Sequence, residues 1–173
     1  MPSLLERIAN DLINDISGKT DSDRRMKAVA QVETGGEKDP FIRTRVAPEK
    51  GSTAYGPLQV TRTLAEKYRK DRKHLFNKEE LIYLNRFIKQ GQDFAKYGKE
   101  PDKKGYHPRY EYGGAGDLTS KKDRAMYWQV MGKVFQDTVG DKDAAGAAKA
   151  WHGGDNEKLI LDYERKLKEV GYR

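Results

Sequence analysis

The chain has 173 residues, which is enough for one compact domain with its own core. It contains no Cys, so disulfides, thiolate metal sites and a Cys nucleophile are excluded, and the wide spacing of its three His residues (His74, His107 and His152) does not predict a zinc site. Lys and Arg outnumber Asp and Glu by 34 to 27, and the net charge of +7 favours contact with polyanions such as nucleic acid, membrane surfaces or bacterial wall polymers.

Residues 1–18 predict an amphipathic helix that packs on the domain. Ser3 and Glu6 fit a capping box, Gly18 can end the helix, and apolar residues recur between them at helical spacing. Acidic residues interrupt this apolar stretch, so we expect no secretory signal. No apolar run in the chain approaches the roughly 20 residues that a membrane-spanning helix needs, so we expect no transmembrane segment.

The next stretch predicts a helix followed by turns and a small sheet. The helix runs from about residue 23 to residue 34, with Asp21 or Ser22 as its N-cap and Gly35 at its end. Residues 37–62 lack helical periodicity and contain three Pro residues. Short runs at 53–55 and 58–60 predict a small β-sheet near residues 50–60.

Helices are also predicted for most of the remaining chain. Thr63 with Glu66, and Asn77 with Glu80, form two capping boxes that open helices to about residues 72 and 97. A Gly- and Tyr-rich loop follows at 98–119, and Ser120 caps a helix to about residue 139. Asp141 starts a short Ala-rich helix, and a last helix covers about residues 157–170. The predicted fold is a single, mainly α domain over residues 1–173, with six to seven helices.

Glu33 lies on the apolar side of the second predicted helix. On a wheel of about 100° per residue with Met26 at 0°, Glu33 falls at about 340°, between Val29 at about 300° and Ala30 at about 40°. The opposite side carries Arg24, Lys27 and Gln31.

An inward carboxylate near the end of a helix is unfavourable in its charged form. Burial and the helix dipole both raise its pKa, as a general acid requires near neutral pH. The alternatives are an ion pair with Arg43 or Arg45, or a frayed helix end that turns Glu33 towards solvent.

Three segments together resemble the lysozyme-like lytic transglycosylase family, especially its phage-borne members. Residues 29–36 (VAQVETGG) are similar to the helix that ends in the family's catalytic Glu and a small hydroxyl residue. Residues 52–60 (STAYGPLQV) resemble its A-x-G-L-x-Q segment, and residues 147–154 (AAKAWHGG) its late A-Y-N-x-G segment. Trp151-His152 stands where the family has Tyr-Asn. The stretch between Glu33 and Gly56 is longer than usual in the family.

The resemblance implies a lysozyme-like α+β fold, with a substrate cleft between lobes, that cleaves peptidoglycan between N-acetylmuramic acid and N-acetylglucosamine. Glu33 would protonate the bridging oxygen, the substrate's N-acetyl group would assist, and the C6 hydroxyl would close a 1,6-anhydro ring. This chemistry needs one enzyme carboxyl group and neither metal nor cofactor. The substrate-binding positions implied are Ser52, Tyr55, Gly56, Gln59, Trp151 and His152.

Each of these positions also has an ordinary structural interpretation. Ser52 can stabilise a turn, Tyr55 and Trp151 can be packed aromatic residues, and Gln59 can be an exposed strand residue. The tyrosines of the 98–119 loop (Tyr106, Tyr110 and Tyr112) can line a glycan groove or pack on one another.

Two other functions remain open at this stage. A hydrolase of the same fold would need a second carboxylate, about 6.5–9.5 Å from Glu33 if it inverts, and Glu37, Asp39 and Glu49 are available in the following loop. A non-catalytic structural or nucleic-acid-binding phage protein would use the basic stretch 62–73 (RTLAEKYRKDRK).

The expected partner of the chain is the glycan strand of peptidoglycan, with no required nucleic acid and with the chain acting as a monomer. Without a signal peptide, it would reach the wall as a component of the phage virion, or from the host cytoplasm through a holin-type pore.

Overall fold

A computed structural model describes residues 20–35, 40–41, 53–97 and 118–173 of the chain. This part is mainly helical, as predicted, and its six α-helices are numbered here in chain order. They are α1 (Asp21–Thr34), α2 (Arg62–Asp71), α3 (Lys78–Tyr97), α4 (Lys121–Thr138), α5 (Ala144–Ala147) and α6 (Glu157–Glu169). A short 3-10 turn (Lys73–Leu75) precedes α3, and a π-helical turn (Ala148–His152) directly follows α5. The predicted helix at 1–18 lies outside the described residues.

Side-chain caps set the beginnings of these helices. Asn77 and Glu80 form the predicted capping box of α3, in which each side chain accepts from the other residue's amide at 2.9 and 2.8 Å. Ser120 caps α4 as predicted, since its hydroxyl accepts from the amide of Asp123 at 3.0 Å. The caps of the two preceding helices were wrongly predicted: Thr20 caps α1 and Thr61 caps α2, because in each case an earlier Thr hydroxyl reaches the free amides of the first turn.

The small sheet predicted near residues 50–60 is not present in the described residues 53–60. Instead, one isolated antiparallel bridge joins Tyr55 to Val60 and closes a tight turn between them. The turn leaves no room for paired strands, because the Gly56 carbonyl accepts the Gln59 amide at 2.9 Å within it.

The chain divides into two compact units, and the boundary falls within α4. The first unit, Met1–Asp39 with Gly132–Arg173, contains α1, the end of α4, α5 and α6. Its core includes Val29, Phe135, Ala147 and Leu167, each of which is fully buried. The Arg25 guanidinium donates to the main-chain carbonyls of Gly140 and Arg173 in this unit, at 3.2 and 2.7 Å.

The second unit, Pro40–Met131, contains α2, α3 and the beginning of α4. Its core is a cluster of four buried aromatic residues whose ring centroids lie 5.1–6.5 Å apart in edge-to-face or tilted pairs. These are Phe41, Tyr55, Phe87 and Tyr127. The cluster anchors the turn at 55–60, because Tyr55 is one of its members.

Among the described residues, no helix is long and apolar enough to cross a membrane. In the same part of the chain, no group of acidic and His side chains is arranged to hold a metal ion.

Candidate active site

Glu33 lies in the last turn of α1, on the side of the helix that carries apolar residues. Met26, Val29 and Ala30 are buried, as the wheel predicts, while Arg24 and Gln31 are exposed. Gly35 ends the helix in the left-handed conformation (φ 53°), and its amide donates to the Gln31 carbonyl. No basic residue lies in this last turn. Glu33 itself is half-buried.

The Glu33 carboxyl group is held by a tyrosine from the other end of the sequence. The Tyr163 hydroxyl donates to Oε1 of Glu33 at 2.6 Å, a distance typical of a hydrogen bond from a hydroxyl to a carboxylate. Burial raises the pKa of Glu33 above its ordinary value, and the hydrogen bond from Tyr163 partly offsets the rise. The predicted direction of the pKa shift is therefore confirmed, with burial as its main cause.

Tyr163 was not identified as a site residue from the sequence. It lies on α6, it is buried, and its pKa is raised by burial first and then by the charge of Glu33. One feature of the sequence pointed to Tyr163. Its hydroxyl lies on an otherwise apolar face of α6, four residues before the buried Leu167. That pattern indicates a buried polar group in need of a partner, but the partner is 130 residues away in sequence.

His152 covers one face of the Tyr163 ring. The two rings are stacked, with centroids 4.9 Å apart and planes inclined by 20°, and His152 is exposed on its outer side. Within the first unit, Tyr163 therefore contacts both His152, through its ring, and Glu33, through its hydroxyl. Of these three, Glu33 and His152 were predicted as site residues from the sequence.

Trp151 belongs to the same π-helical turn but contacts the core. Its half-buried ring meets the Phe135 ring edge-on, with centroids 5.2 Å apart. The turn ends at Gly153, whose φ of 67° and ψ of −169° are accessible almost only to Gly. A π-helical turn is uncommon and often marks a functional site, because it re-aims side chains at a helix end.

The second predicted segment, at 55–60, lies in the second unit and is described there. Gly56 has a φ of 75°, and a Cβ atom on it would lie 2.3 Å from the Tyr127 ring. The Tyr127 hydroxyl donates to the Tyr55 carbonyl and accepts from the Leu58 amide. The close approach that requires Gly here is therefore made by Tyr127.

Tyr55 is a packed aromatic residue, which is the structural interpretation that the sequence left open beside a substrate-binding role. Its side chain is 2% exposed, because its ring lies in the aromatic cluster and its hydroxyl donates to the Phe41 carbonyl at 2.6 Å. A buried ring offers no face to a sugar.

Gln59 adopts a left-handed backbone conformation, with φ at 48°, which is uncommon for a residue other than Gly. Its side-chain Nε2 donates to the Gly56 carbonyl at 2.8 Å, so the amide group folds back over the turn. The side chain is half-buried, and its Oε1 atom can still accept a hydrogen bond.

Several predicted site residues lie outside the described residues. They are Ser52, the possible ion-pair partners Arg43 and Arg45, the candidate second carboxylates Glu37, Asp39 and Glu49, and Tyr106, Tyr110 and Tyr112. Thr34, which matches the family's small hydroxyl residue, donates its hydroxyl to the Ala30 carbonyl at 2.8 Å and so serves the helix end.

A half-buried carboxyl group with a raised pKa and one oxygen fixed by a hydrogen bond can deliver a proton in a defined direction. Comparison of the chain with family models, with curated proteins and with solved structures gives no match.

Proposed function

We propose that the chain cleaves the glycan strands of bacterial peptidoglycan as a lytic transglycosylase, with Glu33 as general acid and then general base. The observation that carries this proposal is the half-buried Glu33 carboxyl group, whose pKa is raised by burial and whose Oε1 is bound by Tyr163. The motif resemblance supplies the substrate and the order of the steps.

The hydrogen bond from Tyr163 selects which oxygen carries the reacting proton. Since Oε1 accepts from the Tyr163 hydroxyl, the proton of the neutral acid resides on Oε2. Within the described residues, Oε2 has no protein partner, so it is the oxygen that can approach the glycosidic bond. Tyr163 thus acts as a positioning residue for Glu33.

In the first step, Oε2 gives its proton to the bridging oxygen as the bond to the anomeric carbon breaks. The substrate's N-acetyl oxygen bonds to that carbon, and the N-acetylglucosamine side leaves as an alcohol. Glu33 is now a carboxylate, and the Tyr163 hydroxyl stabilises its charge with a charge-assisted hydrogen bond.

In the second step, the C6 hydroxyl oxygen of the muramic acid attacks the anomeric carbon and displaces the N-acetyl oxygen. Its proton passes to Oε2 of Glu33, which restores the neutral acid. No water is consumed, and the product carries a 1,6-anhydro ring. One carboxyl group serves both steps, because the substrate provides the nucleophile.

Two further contacts with the sugar are part of the proposal. Gln59 uses its Nε2 on Gly56, so its Oε1 would accept from the N–H group of an acetamido substituent. His152 would contact the sugar at its exposed edge, while its ring face covers one face of the Tyr163 ring. The roles of Gly56, Ser52 and Trp151 stay predictions from the resemblance.

The place of action is also proposed. The chain would act on the bacterial wall as a monomer, as a virion component or after release through a holin-type pore. Its net charge of +7 would favour adsorption to the anionic wall.

The test is digestion of purified peptidoglycan, followed by mass spectrometry of the soluble products. We expect the parent chain to release fragments with 1,6-anhydro ends, and Glu33→Gln to reduce the rate by at least about a hundredfold, the usual effect of losing a general acid–base. Glu79→Gln is the matched control, because Glu79 is exposed on α3. Fragments with reducing ends would instead assign the hydrolase, and full activity of Glu33→Gln would overturn the role of Glu33.

A further inference from the structure

A groove of about 460 Å³ lies on the second unit, and none of the four residues of the aromatic cluster lines it. It is lined from α2, the 3-10 turn and α3 by Glu66, Arg69, Lys70, Lys73, Leu81 and Asn85. The volume lies within the range of small-molecule sites, towards its lower end, and fits a short segment of a ligand.

Three cations on this groove are available to a ligand. Arg69, Lys70 and Lys73 are exposed, and none of them has an ion-pair partner within the described part of the chain. The acidic residue of the groove does not neutralise them. Glu66 lies 3.6 Å from Arg62 in an i,i+4 pair and accepts a hydrogen bond from Gln92 at 3.3 Å.

The rest of the lining is not typical of a surface that only binds phosphate. Leu81 provides an apolar contact in the groove, and the Asn85 amide can both donate and accept. Among the described residues, no aromatic side chain lines it, whereas grooves for single-stranded nucleic acid combine positive charge with aromatic side chains that stack on bases.

We propose that this groove binds a short acidic peptide with small apolar side chains, the chemistry of the stem peptides that peptidoglycan carries on its muramic acid residues. The three cations would pair with the carboxylates, with Arg69 able to do so through two parallel hydrogen bonds. Leu81 would contact an alanine methyl group, and Asn85 would pair with a peptide amide.

This identification of the ligand rests on the proposed function, while the preference for an acidic peptide rests on the groove itself. Exposed ion pairs are individually weak, so a single stem peptide would bind weakly. Many stems on one glycan strand would raise the local concentration of the ligand, so that a groove that releases one stem soon binds another.

The experiment titrates the full chain with the synthetic tetrapeptide N-acetyl-Ala-D-Glu-Lys-D-Ala, by calorimetry or by NMR shifts of the backbone amides. Its N-terminus is blocked, as it is in a stem peptide, so its carboxylates outnumber its amines. We expect a triple variant, Arg69→Gln with Lys70→Gln and Lys73→Gln, to bind roughly tenfold more weakly, the sum of three modest ion pairs. The matched control combines Lys121→Gln, Lys122→Gln and Lys158→Gln, which removes the same charge from exposed positions elsewhere. The control should keep the parent affinity.

A peptide whose carboxylates are amidated should bind as weakly to the parent as the acidic peptide binds to the triple variant. The proposal is overturned if the triple variant and its control bind equally, if amidation has no effect, or if duplex DNA displaces the tetrapeptide from the groove at lower concentration. The inactive Glu33→Gln variant should bind the tetrapeptide like the parent. Because binding is read without lysis, failure of the groove proposal is distinguished from failure of the lytic assignment.

Discussion

At the scale of single residues, Glu33 combines two properties that are separately unremarkable in proteins. It is half-buried beside apolar neighbours, which raises its pKa, and it accepts one hydrogen bond from Tyr163, which lowers it. Burial has the larger effect, so the folded protein holds the proton of Glu33 more tightly than the unfolded chain does.

This difference predicts a pH-dependent stability for the parent chain. A raised carboxyl pKa stabilises the folded state below the ordinary value of 4.5, and this contribution is lost as the pH rises through the higher folded-state pKa. Glu33→Gln keeps an oxygen that can accept from Tyr163 but does not ionise. We therefore expect equal stability of variant and parent at low pH, and a more stable variant near neutral pH.

Urea unfolding of both proteins at a series of pH values measures this difference. A Glu33→Gln variant that is less stable than the parent at neutral pH would show that the Glu33 carboxylate is stabilised by the fold, contrary to the raised pKa.

Gln59 is the other residue whose local geometry suggests a role. A left-handed conformation costs about 1 kcal/mol in a residue with a side chain, and Gly avoids that cost. We expect Gln59→Gly to lie within about 1 kcal/mol of the parent, because relief of the backbone offsets the lost hydrogen bond to Gly56. Gln59→Ala should lose about 1 kcal/mol, since it loses the hydrogen bond without that relief.

Unfolding and turnover should be measured on both Gln59 variants. If the side chain contacts the sugar, both variants lose turnover to a similar extent despite their different stabilities. Parent turnover in Gln59→Gly would remove Gln59 from the site.

The sequence predicted part of this site for a physical reason. Helical periodicity places Glu33 among Val29 and Ala30, so its burial could be inferred from neighbours on the same helix. Tyr163 could not be paired with it, because a contact across 130 residues leaves no local pattern. The two interpretations of Tyr55 could not be separated from the sequence for a similar reason, since its ring packs against Phe41, Phe87 and Tyr127 from other segments.

At the scale of elements, local hydrogen-bonding groups explain both the successes and the errors. The caps at Asn77 and Ser120 were predicted, because each is a short polar side chain whose oxygen accepts from the amide three residues later. The caps at Thr20 and Thr61 were displaced by one or two residues, since several adjacent hydroxyl and carboxyl groups compete for the same free amides. The prediction of a small sheet was wrong, because short apolar runs beside a Gly are also compatible with a tight turn.

Gly35 and Gly56 allow the stability cost of backbone conformation to be measured apart from the cost of packing. Gly35 ends α1 with a φ of 53°, and no atom of the described residues lies within 4 Å of where its Cβ would be. Gly56 has a φ of 75°, and the Tyr127 ring lies where its Cβ would be. We expect Gly35→Ala to cost about 1 kcal/mol from conformation alone. Gly56→Ala should cost about 3 kcal/mol, because the buried Tyr127 must also shift.

Thermal and urea unfolding of the two alanine variants provide the comparison. Equal losses would mean that Tyr127 can yield without cost, and that packing does not explain the Gly at position 56.

At the scale of the molecule, the mainly helical class followed from the sequence, because apolar residues recur at helical spacing in long segments such as α3 and α6. The division into two compact units did not, since the boundary falls within the continuous helix α4 and has no linker composition. The net charge of +7 was known from composition. Whether Arg69, Lys70 and Lys73 can bind a ligand depends on which acidic residues lie near them in the fold, and the sequence does not show this.

The central claim is that the protonated carboxyl group of Glu33 breaks the glycosidic bond. Its most direct test compares two measurements in the parent and in Tyr163→Phe. One is an NMR titration of the Glu33 carboxyl carbon, and the other is the pH dependence of kcat/KM on purified peptidoglycan. We predict that activity falls at high pH with the pKa of Glu33, above its ordinary value of 4.5, and that Tyr163→Phe moves both upward because it removes the hydrogen bond that lowers that pKa. A Glu33 that titrates at its ordinary value, or a pH profile that stays in place while the Glu33 pKa moves, would contradict the claim.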